Sequence, residues 1–239
     1  MGLCDFSIKG RDGTMVGDPA TRMRACKISR TLARLYPDAR CMLDFSSPLE
    51  LLVATILAAQ CTDKKVNEVT ASLFRRYRSA EDFAQADPAA LEQAIRPTGF
   101  FRNKARSIIA CCRDLVERHG GEVPRTIGEL TALAGVGRKT ANVLLGAAFG
   151  QPAIIVDTHV KRVAGRLGLS AETDPDKIEL DLQKLLLPGE WTAFSHRLTF
   201  HGRAVCVARK PKCMECAIAG WCPSAAGKTG TGNFFRSGL

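Results

Sequence analysis

Helix start signals recur along most of this chain, and they constrain its fold more than any other feature. Ser47 and Asp87 are each followed by proline, a pairing that favours a capped first helical turn. Thr126 and Glu129 have the spacing of a capping box. The only run rich in β-branched residues, 153–156, is too short to define a sheet. The sequence therefore predicts an all-α protein.

Apolar residues follow these signals at the three- and four-residue spacing of an amphipathic helix. One such stripe runs through residues 49–57, and a second runs through 105–116 until Gly120 and Gly121 end it. Nearly all of residues 23–201 is accordingly predicted to be helical.

The charge of the chain favours a polyanionic partner. Its 239 residues include 34 Lys and Arg against 24 Asp and Glu, a net charge of +10. Nucleic acid would use this excess through phosphate contacts, although a solvated basic surface without a partner fits the charge equally well. No stretch approaches the ~20 apolar residues of a membrane helix, and no signal-peptide pattern is present. We therefore expect a cytoplasmic protein with no membrane partner.

Four of the ten cysteines are grouped with the spacing C-x6-C-x2-C-x5-C: Cys206, Cys213, Cys216 and Cys222. Four thiolates in so short a segment can bind one metal centre, either a zinc ion or a [4Fe–4S] cluster. The first spacing departs from the paired pattern of zinc ribbons, so it favours iron–sulfur without deciding the matter. The other six are scattered, and we expect them to be small buried apolar side chains: Cys4, Cys26, Cys41, Cys61, Cys111 and Cys112.

Residues 133–141 (LAGVGRKTA) carry the densest local signal. One helix is predicted to end before the two glycines and another to begin near Arg138, which makes a tight hairpin. Backbone N–H groups of Gly135, Val136, Gly137 and Arg138 would lie at the positive end of the second helix, where they suit a phosphate.

Two charged residues near helix starts have both a structural and a catalytic interpretation. Lys139 can contact a phosphate, or it can act as a nucleophile whose proton is loosened by the helix dipole, by Arg138 and by partial desolvation. Asp157 suits an N-cap, which on position alone is the better interpretation. The alternative is a carboxylate that stabilises a developing sugar cation.

Taken together, these segments resemble the endonuclease III family. The motifs occur in family order: LLVATILAAQCTD (51–63), GFFRNKA (99–105), LAGVGRKTA (133–141), VDTHV (156–160), HGR (201–203) and the cysteine loop. The likeness spans residues 46–222.

The resemblance implies a two-domain helix-hairpin-helix DNA glycosylase fold with a DNA-binding cleft between the domains. A six-helix domain with the hairpin would span residues 42–151. An iron–sulfur cluster domain would combine residues 1–41 with 152–239. Residues 1–20 and 224–239 are rich in Gly and polar residues, and we expect them to be mobile tails.

The resemblance also implies a bifunctional DNA N-glycosylase and abasic-site lyase that removes oxidised pyrimidines from double-stranded DNA. In this family a lysine after the hairpin attacks C1′, matching Lys139, and β-elimination then cleaves the abasic site. The aspartate of VDTH assists base loss, matching Asp157, and the cysteine loop holds a [4Fe–4S] cluster. A monomer that works at the nucleoid of a prokaryote is expected. Ala134 stands where the family usually has proline, which should loosen the hairpin slightly.

Other residues are placed by the resemblance to contact DNA around an extruded base. Gln60 could replace the lost pairing partner, and Phe100 could stack on neighbouring bases. The alternative is that Phe100 and Phe101 are core residues and Gln60 is a helix C-cap. Three basic residues between the first two cysteines are expected to meet phosphates: Arg209, Lys210 and Lys212.

Two other function classes explain part of the pattern. A non-enzymatic hairpin DNA-binding module would account for the charge and the hairpin, but not for Lys139, Asp157 and the cysteine loop together. A ferredoxin-like electron carrier would account for the cysteines, but not for the hairpin or the basic charge.

Overall fold

The computed structural model describes residues 18–226, and it contains no strand within them, as the sequence predicts. Eleven α-helices occur in this part of the chain: α1 Pro19–Leu35, α2 Pro48–Leu57, α3 Asp63–Arg76, α4 Ala80–Ala84, α5 Pro88–Ile95, α6 Phe101–His119, α7 Ile127–Ala132, α8 Arg138–Val143, α9 Thr158–Arg166, α10 Pro175–Leu185 and α11 Trp191–Ala204. A π turn at Leu144–Ala148 continues α8, and short 3-10 turns link several other elements. No helix of the described residues is long and apolar enough to span a membrane.

The predicted start signals cap the helices that they precede. The Ser47 hydroxyl accepts a hydrogen bond from a first-turn N–H of α2 at 3.2 Å. The Asp87 carboxylate does the same for α5 at 3.0 Å, and the Thr126 hydroxyl for α7 at 3.3 Å. Each cap satisfies an N–H that has no partner within its own helix, which is why these helices begin where they do.

The predicted tails are shorter than expected where the structure describes them. Asp18 caps α1 by accepting from two backbone N–H groups at 3.3 and 3.0 Å, so Asp18 is ordered and residues 19–20 are already helical. Pro223–Ala225 forms a 3-10 turn whose last side chain is buried, so order continues past residue 224. The remainder of both predicted tails, 1–17 and 227–239, lies outside the described residues.

The described chain divides into two compact units. The first, here called the hairpin unit, is Cys41–Ala153. The second, here called the cysteine unit, combines the described residues up to Arg40 with those from Ile154 onwards. These limits lie within two residues of the predicted domain bounds. The hairpin unit has seven α-helices where six were expected, and three of the seven span only five or six residues.

The 19-residue helix α6 organises the hairpin unit. It packs against α4 and α5, and all of its predicted apolar stripe except the half-buried Val116 is buried: Ala105, Ile108, Ile109, Cys112 and Leu115. Burying such a stripe stabilises the unit by removing apolar surface from water. Ser107 and Asp114 lie outside this stripe on α6. Both are half-buried and contact the hairpin described below.

The expectation for the six scattered cysteines is only partly met. Cys111 and Cys112 are buried in α6, and burial raises the pKa of Cys111 to about 12. Cys26, Cys41 and Cys61 are only half-buried, and the last two lie between helices rather than on an apolar face. Cys4 lies outside the described residues.

The core of the cysteine unit is formed by α1, α9, α10 and α11. Its central side chains are contributed by all four helices: Ile28, Leu32, Val160, Val163, Leu182, Phe194 and Leu198. The apolar segment before Asp157 belongs to no helix and is buried, with the Ile155 N–H donating to the Ser195 hydroxyl of α11 at 3.0 Å. This contact fixes the chain just before α9 begins.

Candidate functional site

The predicted hairpin joins α7 to α8 in the hairpin unit. Gly135 has a left-handed backbone with φ +76°, and Gly137 precedes the helix that begins at Arg138, as predicted. A Cβ added to Gly135 would lie 3.0 Å from the Cβ of Ser107 on α6. Both the backbone conformation and this close approach therefore require glycine.

The hairpin N–H groups are not equally available to a ligand. Val136 donates its N–H to the Leu133 carbonyl at 3.2 Å, and its side chain is buried. It therefore maintains the hairpin's shape and offers no free N–H, contrary to expectation. Within the described residues, the N–H groups of Gly135 and Gly137 make no hydrogen bond, so these two can donate to a bound anion.

Ala134, at the position where proline is usual, uses the N–H that proline lacks. It donates to the Asp114 carboxylate of α6 at 3.2 Å. The same carboxylate lies 3.6 Å from the Arg118 guanidinium, one turn further along α6. This hydrogen bond opposes the loosening expected from the missing proline ring.

Lys139 is the second residue of α8, and its side chain is exposed. The protein alone therefore does not provide the partial desolvation expected for its amine. Burial raises the pKa of the Cys41 thiol, and the charge of Lys139 is close enough to act on that thiol in the opposite direction. Lys139 is therefore exposed to solvent, and Cys41, the first residue of the hairpin unit, lies near it.

Gln60 and Phe100 lie in exposed turns of the hairpin unit and share an unusual backbone. Their φ angles are 53° and 48°, in the left-handed region that costs a residue with a Cβ about 1–2 kcal/mol. Phe100 is 62% exposed, as stacking on a base requires, so the alternative that it is a core residue is wrong. Phe101 is half-buried, packed 5.7–5.9 Å from two arginine guanidinium groups. Ala58, not Gln60, is the C-cap of α2.

Asp157, in the cysteine unit, has both carboxylate oxygens engaged. Its Oδ1 accepts the Val160 N–H at 2.7 Å, which caps α9 as predicted. Its Oδ2 accepts from the Thr199 hydroxyl of α11 at 3.2 Å, a donor that is shared with the Ser195 carbonyl at 3.1 Å. Burial lowers the pKa of His196, and the negative charge of Asp157 opposes that shift, so the imidazole lies near the carboxylate. Two hydrogen bonds from separate helices therefore fix the orientation of this carboxylate.

The four clustered cysteines line one cavity of the cysteine unit, together with apolar side chains: Val163, Leu167, Val205 and Ile218. Burial raises the pKa of Cys216 and of Cys222, and nearby cysteines of the cluster raise both further. The sulfurs are thus close enough to influence one another. Among the described residues that line the cavity there is no carboxylate, while Arg166 and Lys212 are present.

This donor set fits an iron–sulfur cluster, whose four irons each take one thiolate. Within residues 18–226, no group of three His, Cys, Asp or Glu side chains is placed to hold a metal ion. The ligands of a cubane need not converge on one point in that way. Two side-chain nitrogens lie close to cysteine sulfurs: Arg166 donates to Cys206 Sγ at 3.3 Å, and His201 Nε2 lies 3.6 Å from Cys216 Sγ.

Arg166 of α9 also shapes the loop between the first two cysteines. Its guanidinium donates to the carbonyls of Val207 at 2.8 Å and Ala208 at 2.9 Å. The three basic residues of this loop are all exposed: Arg209, Lys210 and Lys212. Lys210 has φ 52°, so a tight turn presents these cations to solvent.

The HGR motif, whose role could not be predicted from its residues, supports the cysteine loop. His201 is buried, and its Nδ1 lies 3.3 Å from the Tyr36 hydroxyl. A Cβ added to Gly202 would lie 3.0 Å from the Cβ of His159, so α11 and α9 approach closely there. The sequence signal for this supporting role was the pair His201 and Gly202, which lies shortly before Cys206.

Comparison with known proteins gives two family matches. Residues 53–188 match the model of the HhH-GPD superfamily of base excision DNA repair proteins, and residues 206–222 match the iron–sulfur binding domain of endonuclease III. The chain is 54% identical over 205 residues to endonuclease III of a Synechocystis species, covering 85% of this chain and 94% of that protein.

Two solved structures share the fold at high identity. One is a non-covalent endonuclease III–DNA complex, with a TM-score of 0.82 and 43% identity over 87% of this chain and 97% of that chain. The other is a trapped endonuclease III–DNA covalent intermediate, also with a TM-score of 0.82 and 43% identity, covering 87% of this chain and 98% of that chain.

Proposed function

Because this chain belongs to the endonuclease III family of base excision DNA repair enzymes, we propose that Lys139 is its nucleophile. The enzyme is a bifunctional DNA glycosylase and abasic-site lyase, and its cofactor is a [4Fe–4S] cluster. The observation that carries the proposal is the placement of an exposed primary amine on the second residue after the hairpin. A relative trapped as a covalent DNA intermediate supports chemistry of this kind.

The reaction requires the damaged nucleotide to leave the helix. The sugar carbon C1′ is shielded in the duplex, so the base must be extruded first. The Lys139 amine then forms a bond to C1′ while the bond to the base breaks, and the base leaves with that electron pair and gains a proton. Ring opening gives a protonated Schiff base, and loss of a C2′ proton expels the 3′ phosphate. DNA packed over the exposed amine would exclude bulk water from the reacting atoms.

Asp157 is proposed to stabilise the positive charge that develops on the sugar as the base departs. A carboxylate that is already oriented can do this without reorganising during the reaction. The hydrogen bonds from Val160 and Thr199 provide such an orientation. The N-cap and the catalytic role are therefore compatible in one side chain.

The cysteine residues Cys206, Cys213, Cys216 and Cys222 are proposed to hold the cluster. A cluster held by these four thiolates would anchor the loop that carries the three basic residues. The cavity residues Arg166 and His201 would then face cluster ligands. The three basic side chains of this loop would contact DNA phosphates. Such contacts position DNA without reading its sequence.

The remaining DNA contacts are proposed on the hairpin unit. Gly135, Gly137 and Arg138 would bind phosphate, with Val136 supporting them from the core. Gln60 and Phe100 would fill the gap left by an extruded base. We propose that oxidised pyrimidines in double-stranded DNA are the substrates, and that the protein acts as a monomer at the bacterial nucleoid, since its relatives are bacterial repair enzymes.

The proposed function is tested with duplexes that carry either thymine glycol or thymine at one position. Released base and cleaved strand are measured separately, so that both half-reactions are followed. We expect release and cleavage from the thymine glycol duplex alone. Tight binding with neither product would instead indicate a non-enzymatic hairpin module.

Iron content tests the proposed ligands. Purified protein should contain about four iron and four sulfide per chain, and Cys213→Ser should lose most of both. Cys61→Ser is the matched control, because Cys61 is half-buried and lies in the other unit. One zinc per chain, or full iron retention in Cys213→Ser, would contradict the assignment.

Phe100→Ala tests the filling of the gap. The side chain is 62% exposed, so its removal should leave the melting temperature unchanged. Activity on base-lesion duplex should fall roughly tenfold, the size expected from losing one base–aromatic stack of about 1–3 kcal/mol. Cleavage of abasic duplex should fall less, since no base has to be extruded.

Leu180→Ala controls for loss of an exposed apolar side chain, because Leu180 is 49% exposed on α10. Neither substrate should be affected in that variant. A Phe100→Ala protein that melts much earlier and keeps its activity per folded molecule would show that Phe100 serves the core.

A further inference from the structure

Lys104 is the one buried lysine or arginine side chain in residues 18–226, with 5% of its surface exposed. It lies in the first turn of α6. Its ammonium donates to the Leu57 carbonyl at 2.8 Å and to the Thr98 carbonyl at 2.7 Å. These two acceptors are 41 residues apart in sequence, and both belong to the hairpin unit.

Each acceptor lies at the root of a turn that carries a proposed DNA contact. Leu57 is the last residue of α2, and Gln60 follows it by three positions. Thr98 ends a 3-10 turn, and Phe100 follows it by two. One ammonium therefore joins the roots of both turns.

A lysine suits this place even though burial disfavours its charge. The last carbonyls of α2 have no partner within their helix, and the negative end of the helix dipole favours a cation there. Burial lowers the pKa of Lys104, and the nearby Cys61 thiol acts in the opposite direction. An apolar side chain of similar length would fill the space but leave both buried carbonyls without a donor.

Both turns need support from outside themselves. Gln60 and Phe100 have left-handed backbones that are strained for residues with a Cβ, and such conformations persist when surrounding contacts fix them. Both side chains are exposed, so their own packing contributes little to holding the turns. The Lys104 hydrogen bonds reach the backbone three residues before Gln60 and two residues before Phe100.

We propose that Lys104 is a positioning residue for base extrusion, because it fixes the two turns that carry Gln60 and Phe100 in one relative arrangement. This inference rests on the proposed DNA contacts of those two residues. It requires no contact between Lys104 and DNA. Loss of its donors would let the two turns move independently, so that Gln60 and Phe100 would no longer enter the DNA duplex together.

The test compares Lys104→Met with the wild-type protein on thymine glycol duplex and on abasic duplex. The activity of Lys104→Met on the base lesion should fall roughly tenfold, the same loss that is expected of Phe100→Ala from losing one stack. On abasic DNA, where no base is extruded, it should fall by less than about threefold. Fluorescence of 2-aminopurine beside the lesion should rise less than with wild type, at saturating protein, because fewer bases are unstacked.

A double-mutant cycle separates positioning from a general loss of stability. In the background of Gln60→Ala with Phe100→Ala, Lys104→Met should cause less than about a twofold further loss on the base lesion, since coupled residues are not additive. Ile108→Ala is the matched control, because Ile108 is fully buried on the same helix and bonds to neither turn. It should lower stability while leaving the ratio of the two activities unchanged.

Lys104→Gln keeps amide donors and is used in the same comparison if Lys104→Met does not fold; a smaller loss with the same substrate pattern is expected. Equal losses on both substrates, or full additivity in the cycle, would overturn the inference. If wild type released base but Lys104→Met kept the wild-type activity ratio, the inference alone would fail. If wild type itself released no base, the proposed function would fail instead.

Discussion

Lys139→Ala is expected to form no covalent adduct with abasic duplex in the presence of borohydride. Base release and strand cleavage should both fall by about 10³-fold or more, the scale on which loss of a covalent nucleophile reduces turnover. Folding should be unaffected, because Lys139 is exposed on the second residue of α8 and supports no core contact. Adduct yield on a denaturing gel and the two product rates are the measurements.

Two further variants give this result its meaning. Lys139→Arg keeps the positive charge but lacks the primary amine, so it should bind duplex about as well as wild type and still form no adduct. Lys177→Ala removes another exposed lysine, on α10, and should behave as wild type. Adduct formation by Lys139→Ala at the wild-type rate would refute the assignment of the nucleophile.

Asp157→Asn is expected to separate base release from abasic-site cleavage. Base release needs negative charge near the sugar, and losing it should slow that step by about 10²–10³-fold, the range for one electrostatic stabiliser. Opening of a preformed abasic aldehyde by an amine depends less on the carboxylate, so cleavage there should fall much less. Rates on thymine glycol duplex and on abasic duplex, measured under single turnover, test this.

The asparagine variant is informative because asparagine is as good an N-cap as aspartate. The hydrogen bond from Val160 that begins α9 can be retained, so stability should change little. Asp174→Asn makes the same substitution at the N-cap of α10 and should leave both rates unchanged. Equal losses of both half-reactions in Asp157→Asn would mean that Asp157 acts through structure alone.

The elements that could be predicted from the sequence are those specified by neighbouring residues. A cap, a proline and an apolar stripe lie within a few positions of one another, so Ser47, Asp87 and Thr126 marked their helices correctly. The hairpin was predictable for the same reason, because its two glycines lie next to the helix ends that they separate. Gly135 has the left-handed backbone that favours glycine. Asp18 carried the same signal before Pro19 and was missed because its surroundings are rich in glycine and charge.

Contacts between distant residues could not be derived in this way. The Asp114 carboxylate meets the Ala134 N–H from another helix, and nothing in either local segment indicates it. The Lys104 hydrogen bonds to Leu57 and Thr98 depend on how α6 packs. Such residues support a site without belonging to its motif, and only the fold brings them to it.

The exposure of Lys139 also could not be read from its position. The dipole and the neighbouring Arg138 are sequence-local, and both are present as expected. Desolvation is a property of what covers the side chain, and no part of the described chain buries this one. DNA is therefore the natural source of the missing desolvation in the proposed reaction.

The identity of the residue that bonds to DNA tests the central claim most directly. Wild-type protein is incubated with abasic duplex and borohydride, the adduct is digested with protease and nuclease, and the modified peptide is sequenced by mass spectrometry. A single reduced sugar remnant on the Nζ of Lys139 is predicted. A remnant on another amine, or no covalent adduct from protein that cleaves the abasic strand, would contradict the account.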